Sequence, residues 1–353
     1  MTTSVDIFTP AIREALARKG LTQEEFFARL GMSRRSIVDN FTMEKAAAVE
    51  FLLDTPAKDL WAFKKGELRA LQKGRRDFNC RFSSSDVVAW ARRFPVRELQ
   101  NLGYIASTDG MSISQRYESG FVAREIMKFM GVASIAAWEK CYSIVKGSVN
   151  PHVYSVWLRI GELQVERPPR DFEIDRRIIE KNLAFLRNNA VPFRQGLRQK
   201  LVEALQKCDV TVLQVPAFLT APAPRAACFW KGVRPVLQLP TGAISDGDFM
   251  ESVYYAMGYI LHGRVKPSCL VTADKVTSSD PARDALACRI AEGLLLSEAE
   301  ECEIICCGRF AEPRCIDYFS RMFHVRPGVI VSRLQGQRKI PLNSPLNALK
   351  VAV

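Results

Sequence analysis

The sequence predicts a mainly α-helical protein carrying a small α/β part, and three observations predict it. Apolar residues recur at helical spacing through residues 8–63. Further helical segments, broken by glycines, fill residues 81–165. Apolar–polar alternation at strand spacing appears only from Val210 onward, ahead of one long apolar helix at residues 249–263.

Composition narrows the class. A chain of 353 residues suits two or three domains, and 48% hydrophobic with 25% charged residues is the balance of a globular protein. No apolar run reaches the roughly 18 residues of a membrane span. The opening Met-Thr-Thr-Ser-Val-Asp has neither a basic nor an apolar leader region, which predicts a cytoplasmic protein. Ten cysteines then fit a reducing compartment rather than a disulfide framework. Five of them, Cys288, Cys302, Cys306, Cys307 and Cys315, lie close together without a C-x-x-C pair, so small core residues are expected there rather than a metal site. The net charge of +12 favours polyanionic partners.

The elements follow in order. Phe8, Ile12, Ala15 and Leu16 define a helix over residues 9–19, stopped by Gly20. Thr22 opens a second helix as N-cap, with Glu25 at the capping-box position and Gly31 at its end. Ser33 caps a third, over residues 34–41. Two helices around a short Gly-containing turn form the helix-turn-helix signature, in which the second helix enters the major groove. Its leading residues are Arg34, Arg35 and Ser36, followed by Asn40. Arg pairs with guanine and Asn with adenine in that geometry. Gln23 stands where the supporting helix meets a phosphate. Between Lys64 and Arg76 six basic residues, including Lys73, Arg75 and Arg76, face one acid, Glu67. Such a stretch is either a solvated helix face or a set of phosphate contacts.

The segment "FTPAIREALARKGLTQEEFFARLGMSRRSIVDNFTMEKAAAVEFLLDTPAKDLW" resembles the N-terminal domain of HigA-type antitoxins of the Xre helix-turn-helix family. It departs from that pattern after Asn40, where the usual Gly and basic residues are replaced by a direct run into Thr42-Met43-Glu44-Lys45. The resemblance implies operator DNA as ligand, a HigB-like toxin as partner and a homodimer. Helices are expected at residues 86–94, 97–102, 116–130, 135–146 and 151–161, where "ARRFPVRELQNLGYI" and "YSVWLRIGELQV" resemble the connecting region of longer HigA-like regulators. Pro168-Pro169 marks a boundary. Residues 178–188 and 193–208 then read as helices, and 210–215, 228–231 and 235–239 as strands.

The stretch "FMESVYYAMGYILHG" admits two readings. One is a buried helix with Val253, Met257, Ile260 and Leu261 facing the core. The other is suggested by "RPVLQLP…DGDFMESVYYAMGYILHGR", which resembles the strand and active-site helix of the ImmA/IrrE metallopeptidase-like, or zincin-like, fold. In an H-E-x-x-H helix two His grip Zn²⁺ and the Glu is the general base. Gly258 sets the register, placing Tyr255 and Tyr259 at the His positions and Ala256 at the Glu. The next family helix, with its acidic third ligand, corresponds to residues 284–296 and places Leu286 at the ligand position. All four groups are replaced, which implies a pseudo-enzyme without metal or other cofactor. The tail, with Pro327 opening a helix whose apolar face is Val329, Ile330 and Leu334, resembles the close of long HigA-like antitoxins.

The expected organisation is a helix-turn-helix domain with its basic extension at 1–80 and a helical connecting region at 81–167. A degenerate peptidase-like domain at 168–300 and a helical tail at 301–353 complete it. The expected function is a sequence-specific, double-stranded-DNA-binding transcriptional regulator. The rivals are an interaction scaffold that neutralises a toxin without touching DNA, and an active zinc peptidase.

Overall fold

Capping side chains fix the first helices of the chain. The computed structural model describes residues 8–165, 174–189, 196–262, 268–273 and 276–353. The Pro168-Pro169 boundary, the first three residues of the helix expected at 193–208, and Gly263 lie outside the described residues. By contact the chain divides into two units, one ending at Arg159 and one starting at Ile160. Residues 1–80 and 81–159 therefore share one unit, and residues 168–300 and the tail share the other.

In the first unit α1 (Pro10–Arg18) starts at Thr9, whose Oγ1 accepts from the Ile12 amide at 3.2 Å. In α2 (Gln23–Leu30) the capping box is complete, with the Thr22 amide donating to Glu25 at 2.6 Å and the Glu25 amide to Thr22 at 3.1 Å. Next come α3 (Arg34–Val38), α4 (Met43–Leu53), α5 (Ala57–Leu60) and α6 (Lys65–Cys80). The unit continues with α7 (Ser85–Ala91), α8 (Val96–Asn101), α9 (Phe121–Met130) and α10 (Ile135–Cys141), and it ends within α11 (Pro151–Gln164). The helix expected at 116–130 is broken. Gly120 is left-handed (φ +78°), and a Cβ there would fall 2.5 Å from the Phe82 carbonyl carbon, so only glycine allows the chain to turn there. The Arg29 guanidinium donates to the Met130 carbonyl at 3.1 Å, tying α2 to the end of α9. That bond, buried at both ends, is one reason the front and middle segments fold together.

The second unit is built on a five-stranded mixed sheet: β1 (Thr211–Val215), β2 (Ala226–Lys231), β3 (Arg234–Pro240), β4 (Cys269–Val271) and β5 (Val276–Ser278). The strand order is β1-β3-β2-β4-β5. β1 runs parallel to β3, and every other pair is antiparallel. Alternation sorts the two faces. Phe229 and Val236 pack with Val165 on one side, while Cys228, Leu237 and Cys269 join the main core on the other.

Around that core lie α12 (Arg176–Asn189), α13 (Leu197–Gln206), α14 (Asp246–Leu261), α15 (Asp284–Leu295), α16 (Glu298–Cys306), α17 (Pro313–Phe323) and α18 (Pro327–Gly336). The central element is α14, which touches α15, α18, α12 and strands β2, β3 and β4. It is apolar nearly all round, as a helix packed on several sides must be. Val253, Met257 and Ile260 have no exposed surface. The chain's end seals its N-terminus. The Val351 amide donates to Asp246 Oδ1 at 3.0 Å, and Arg326 Nε to Asp246 Oδ2 at 2.6 Å, both ends of that ion pair being buried. Among the described residues no helix is long and apolar enough to cross a membrane.

Candidate functional site

Each unit carries one surface whose chemistry is more specific than its fold requires. In the first unit it is the start of α3. Ser33 Oγ accepts from the Ser36 amide at 3.0 Å, Ile37 is fully buried, and Ser33, Arg34, Arg35 and Ser36 are left exposed. Gln23 and Asn40 are exposed as well. The Arg34 guanidinium lies 5.6 Å from the Phe8 ring centre, and Arg35 Nε donates to Asp39 at 3.1 Å.

The helix expected to reach residue 41 stops at Val38. Thr42 must be extended to cap α4, where its Oγ1 accepts from the Lys45 amide at 3.2 Å. The Lys45 ammonium then donates to the carbonyls of Ser36 and Asn40, each at 2.7 Å, in place of the amides that a longer helix would supply. On α6, Lys73 and Arg76 are exposed while Leu71, Gly74 and Phe78 are buried. Arg75 differs from its neighbours. Its Nε and Nη2 both donate to Glu50, at 3.1 and 2.9 Å, so it closes an internal ion pair rather than presenting a free cation.

In the second unit the site is where α14 faces α15. On α14 the residues Glu251, Tyr255 and Tyr259 are spaced four apart and form one ladder. On α15 the residues Asp284, Cys288 and Glu292 form the facing one. The Tyr255 hydroxyl lies 3.5 Å from Glu292 Oε1. The Tyr259 hydroxyl is buried and makes no hydrogen bond of ordinary length and angle, with the Asp284 carboxylate, Cys269 and Cys288 around it. Tyr254, on another face of α14, donates instead to the Leu183 carbonyl at 2.6 Å. Ala256 is fully buried.

Leu286 is not brought to the tyrosines. It is 43% exposed, and the α15 residue standing beside both is Cys288. The reason is the helix contact: the backbone of α14 at Gly258 lies against Ala287 and Ala291, which rotates Leu286 outward. Burial, before any other influence, raises the pKa of both phenols and of the Cys288 thiol. Two phenols whose ionisation burial disfavours do not fit Zn²⁺, which takes deprotonated ligands, and Cys288 alone is one ligand of the roughly three or four needed. Among the described residues no group of three or more His, Cys, Asp and Glu is placed to hold a metal ion.

Beside the tyrosines opens a cleft of about 810 Å³, lined by α14, α15, α18, strand ends and the tail. Its charged residues, none of which the sequence singles out, are Arg225, Asp248, Glu251, Glu292, Arg333 and Lys350. Arg333, with a side chain only 7% exposed, lies 3.3 Å from Glu251, 3.1 Å from Glu292 and 3.8 Å from Glu301. Asp248 lies 3.4 Å from Arg225 and 3.8 Å from Lys350. Burial pushes the Glu251 carboxyl up to about 7, Asp248 adding to the rise while Arg333, Arg225 and Lys350 oppose it. One signal could have found this cluster: Arg333 is a lone base inside the apolar run Val329-Ile330-Val331-Ser332-Arg333-Leu334, where a charge persists only if it is paired. No family model, no curated protein and no solved structure matches the chain.

Proposed function

We propose that the protein is a cytoplasmic regulator that binds double-stranded DNA through α2 and α3, in the manner of a HigA-like antitoxin. In this reading the second unit is a catalytically silent, zincin-like scaffold. The observation that carries it is the capped, solvent-facing start of α3, where Ser33, Arg34, Arg35 and Ser36 are exposed over a buried Ile37. A helix presenting Arg at its first turn is suited to base edges in the major groove. Lys73 and Arg76 would serve as phosphate contacts, whereas Arg75 would hold α6 on Glu50. A homodimer would provide two half-sites, and a HigB-like toxin would be the protein partner.

A specific observation favours a second reading, an interaction scaffold without DNA contact. The five residues of α3 and the closure by Lys45 leave a short probe for a groove. A binding titration on the gene's own upstream DNA and on random duplex, at two salt concentrations, separates the two. Arg34→Ala and Arg35→Ala should each weaken binding by about 1–3 kcal/mol, and at least one should relax sequence choice. Lys73→Ala and Arg76→Ala should weaken binding to all sequences alike and flatten its salt dependence. Equal affinity of the wild type for upstream and random DNA favours the scaffold.

A further inference from the structure

The cleft beside Tyr255 shares its charges unevenly. At one end a single guanidinium, Arg333, serves three carboxylates, Glu251, Glu292 and Glu301. At the other a single carboxylate, Asp248, serves two cations, Arg225 and Lys350. The cleft is therefore a fixed dipole, acid-rich at one pole and base-rich at the other. A plain cation or a plain anion complements one pole only. A ligand carrying both charges complements both and adds no net charge to a half-buried site.

The anchors of the two poles favour a compact zwitterion. Asp248, beside Arg225 and Lys350, and Glu251 are three residues apart on α14, a rise of about 4.5 Å along the helix. A ligand with its two charges close together, as in an α-amino acid, suits such neighbouring poles better than one with charges at the ends of a long chain. Between the poles the wall is Tyr255 with Val271, Val276 and Leu342, an aromatic and aliphatic surface for a side chain. The volume of about 810 Å³ is within the range of small-molecule sites, about 300–1,000 Å³.

We infer that this cleft binds a free α-amino acid, its ammonium group facing the acid-rich pole on the Glu292 side and its carboxylate facing the base-rich pole of Arg225 and Lys350. The inference concerns the second unit alone and does not depend on whether α3 meets DNA.

The test is made on the full chain without DNA. Each of the twenty common L-amino acids, at about 10 mM so that a millimolar site is filled, is screened for a rise in Tm. The one giving the largest rise is then measured by calorimetry beside its N-acetyl derivative, which lacks the ammonium, and its amide, which lacks the carboxylate. At least one amino acid should raise Tm, and each derivative should bind about tenfold more weakly or worse, as loss of a charge-assisted hydrogen bond implies. Glu292→Gln, on the cleft rim, should weaken the parent and leave the N-acetyl derivative unchanged. Lys350→Met should weaken the parent and leave the amide unchanged, with Arg225→Gln as the alternative if the Lys350 variant does not fold. Absence of any rise across the twenty overturns the inference. So does a derivative that binds as tightly as its parent, because one pole would then be idle.

Discussion

Gly258 lies so close to Ala287 that a Cβ built on it would stand 2.3 Å from the Ala287 carbonyl oxygen. That oxygen is backbone, held within α15, and cannot swing aside. The contact sets the rotation of α15 against α14, and with it which side chains face the tyrosines.

Gly258→Ala should therefore destabilise the second unit by about 1–3 kcal/mol, the usual cost of overpacking. Gly293→Ala is the control, since nothing lies within 4 Å of a Cβ there. It should be neutral or stabilise by up to about 1 kcal/mol, as Gly→Ala in a helix does. Urea unfolding of both variants checks this, and equal stability of the two would remove the close approach from the account.

The three neighbouring tyrosines differ in what their hydroxyls do. Tyr254→Phe removes a 2.6 Å buried bond to the Leu183 carbonyl and should cost about 1 kcal/mol. Tyr259→Phe removes a buried hydroxyl that makes no hydrogen bond of ordinary length and angle, so the same measurement should show no loss or a small gain. A loss for Tyr259→Phe as large as for Tyr254→Phe would mean that Asp284 or a cysteine accepts from Tyr259.

The carboxyl of Glu251, raised from an ordinary 4.5 to about 7, gives the second unit a pH signature. Because the folded value is the higher one, folding takes up a proton between the two. The stabilisation linked to Glu251 is complete below about 4.5 and is lost as pH rises through about 7. Arg333, Asp248, Arg225 and Lys350 are the charged groups that face it. Relative to Glu251→Gln, the wild type should lose on the order of 3 kcal/mol between about pH 4.5 and pH 8. Denaturation midpoints at the two pH values measure it, and parallel pH profiles for the two proteins would refute it.

Cys288 offers a direct test of the zincin-like reading. With His at 255 and 259, the Cys288 thiol becomes the third group of a His-His-Cys set on two packed helices. The double variant Tyr255→His, Tyr259→His should bind Co²⁺ with a thiolate charge-transfer band, and adding Cys288→Ala should abolish it. Adding Leu286→Glu to that triple variant should not restore binding, because Leu286 faces solvent. Restoration by Leu286→Glu would return the ligand register to the one expected from sequence.

What was legible in the sequence was local. Thr22, Gly31 and Ser33 place the first helices because a cap acts on amides within its own turn, and the observed bonds are those expected from these residue types. β1 was legible through alternation, with β2 and β3 as further candidates, whereas β4 and β5 are three residues each, too short for a period to register. Burial of Val253, Met257 and Ile260 followed from spacing. The cleft did not, because its charges come from α14, α15, α18 and the tail, brought together only by packing. The outward turn of Leu286 was not legible for the same reason: the rotation of α15 is fixed by its contact with Gly258, not by its own sequence.

The bond from Val351 to Asp246 spans 105 residues of chain. A ribosome adding about 5–20 residues per second leaves Asp246 waiting about 5–20 s for this donor. Arg326, its buried counter-charge, is itself made only shortly before. Throughout most of that interval α14, apolar nearly all round, has neither partner of its Asp246 carboxylate. Slow codons between residues 246 and 326 should therefore lower the yield of the second unit before they alter its finished stability.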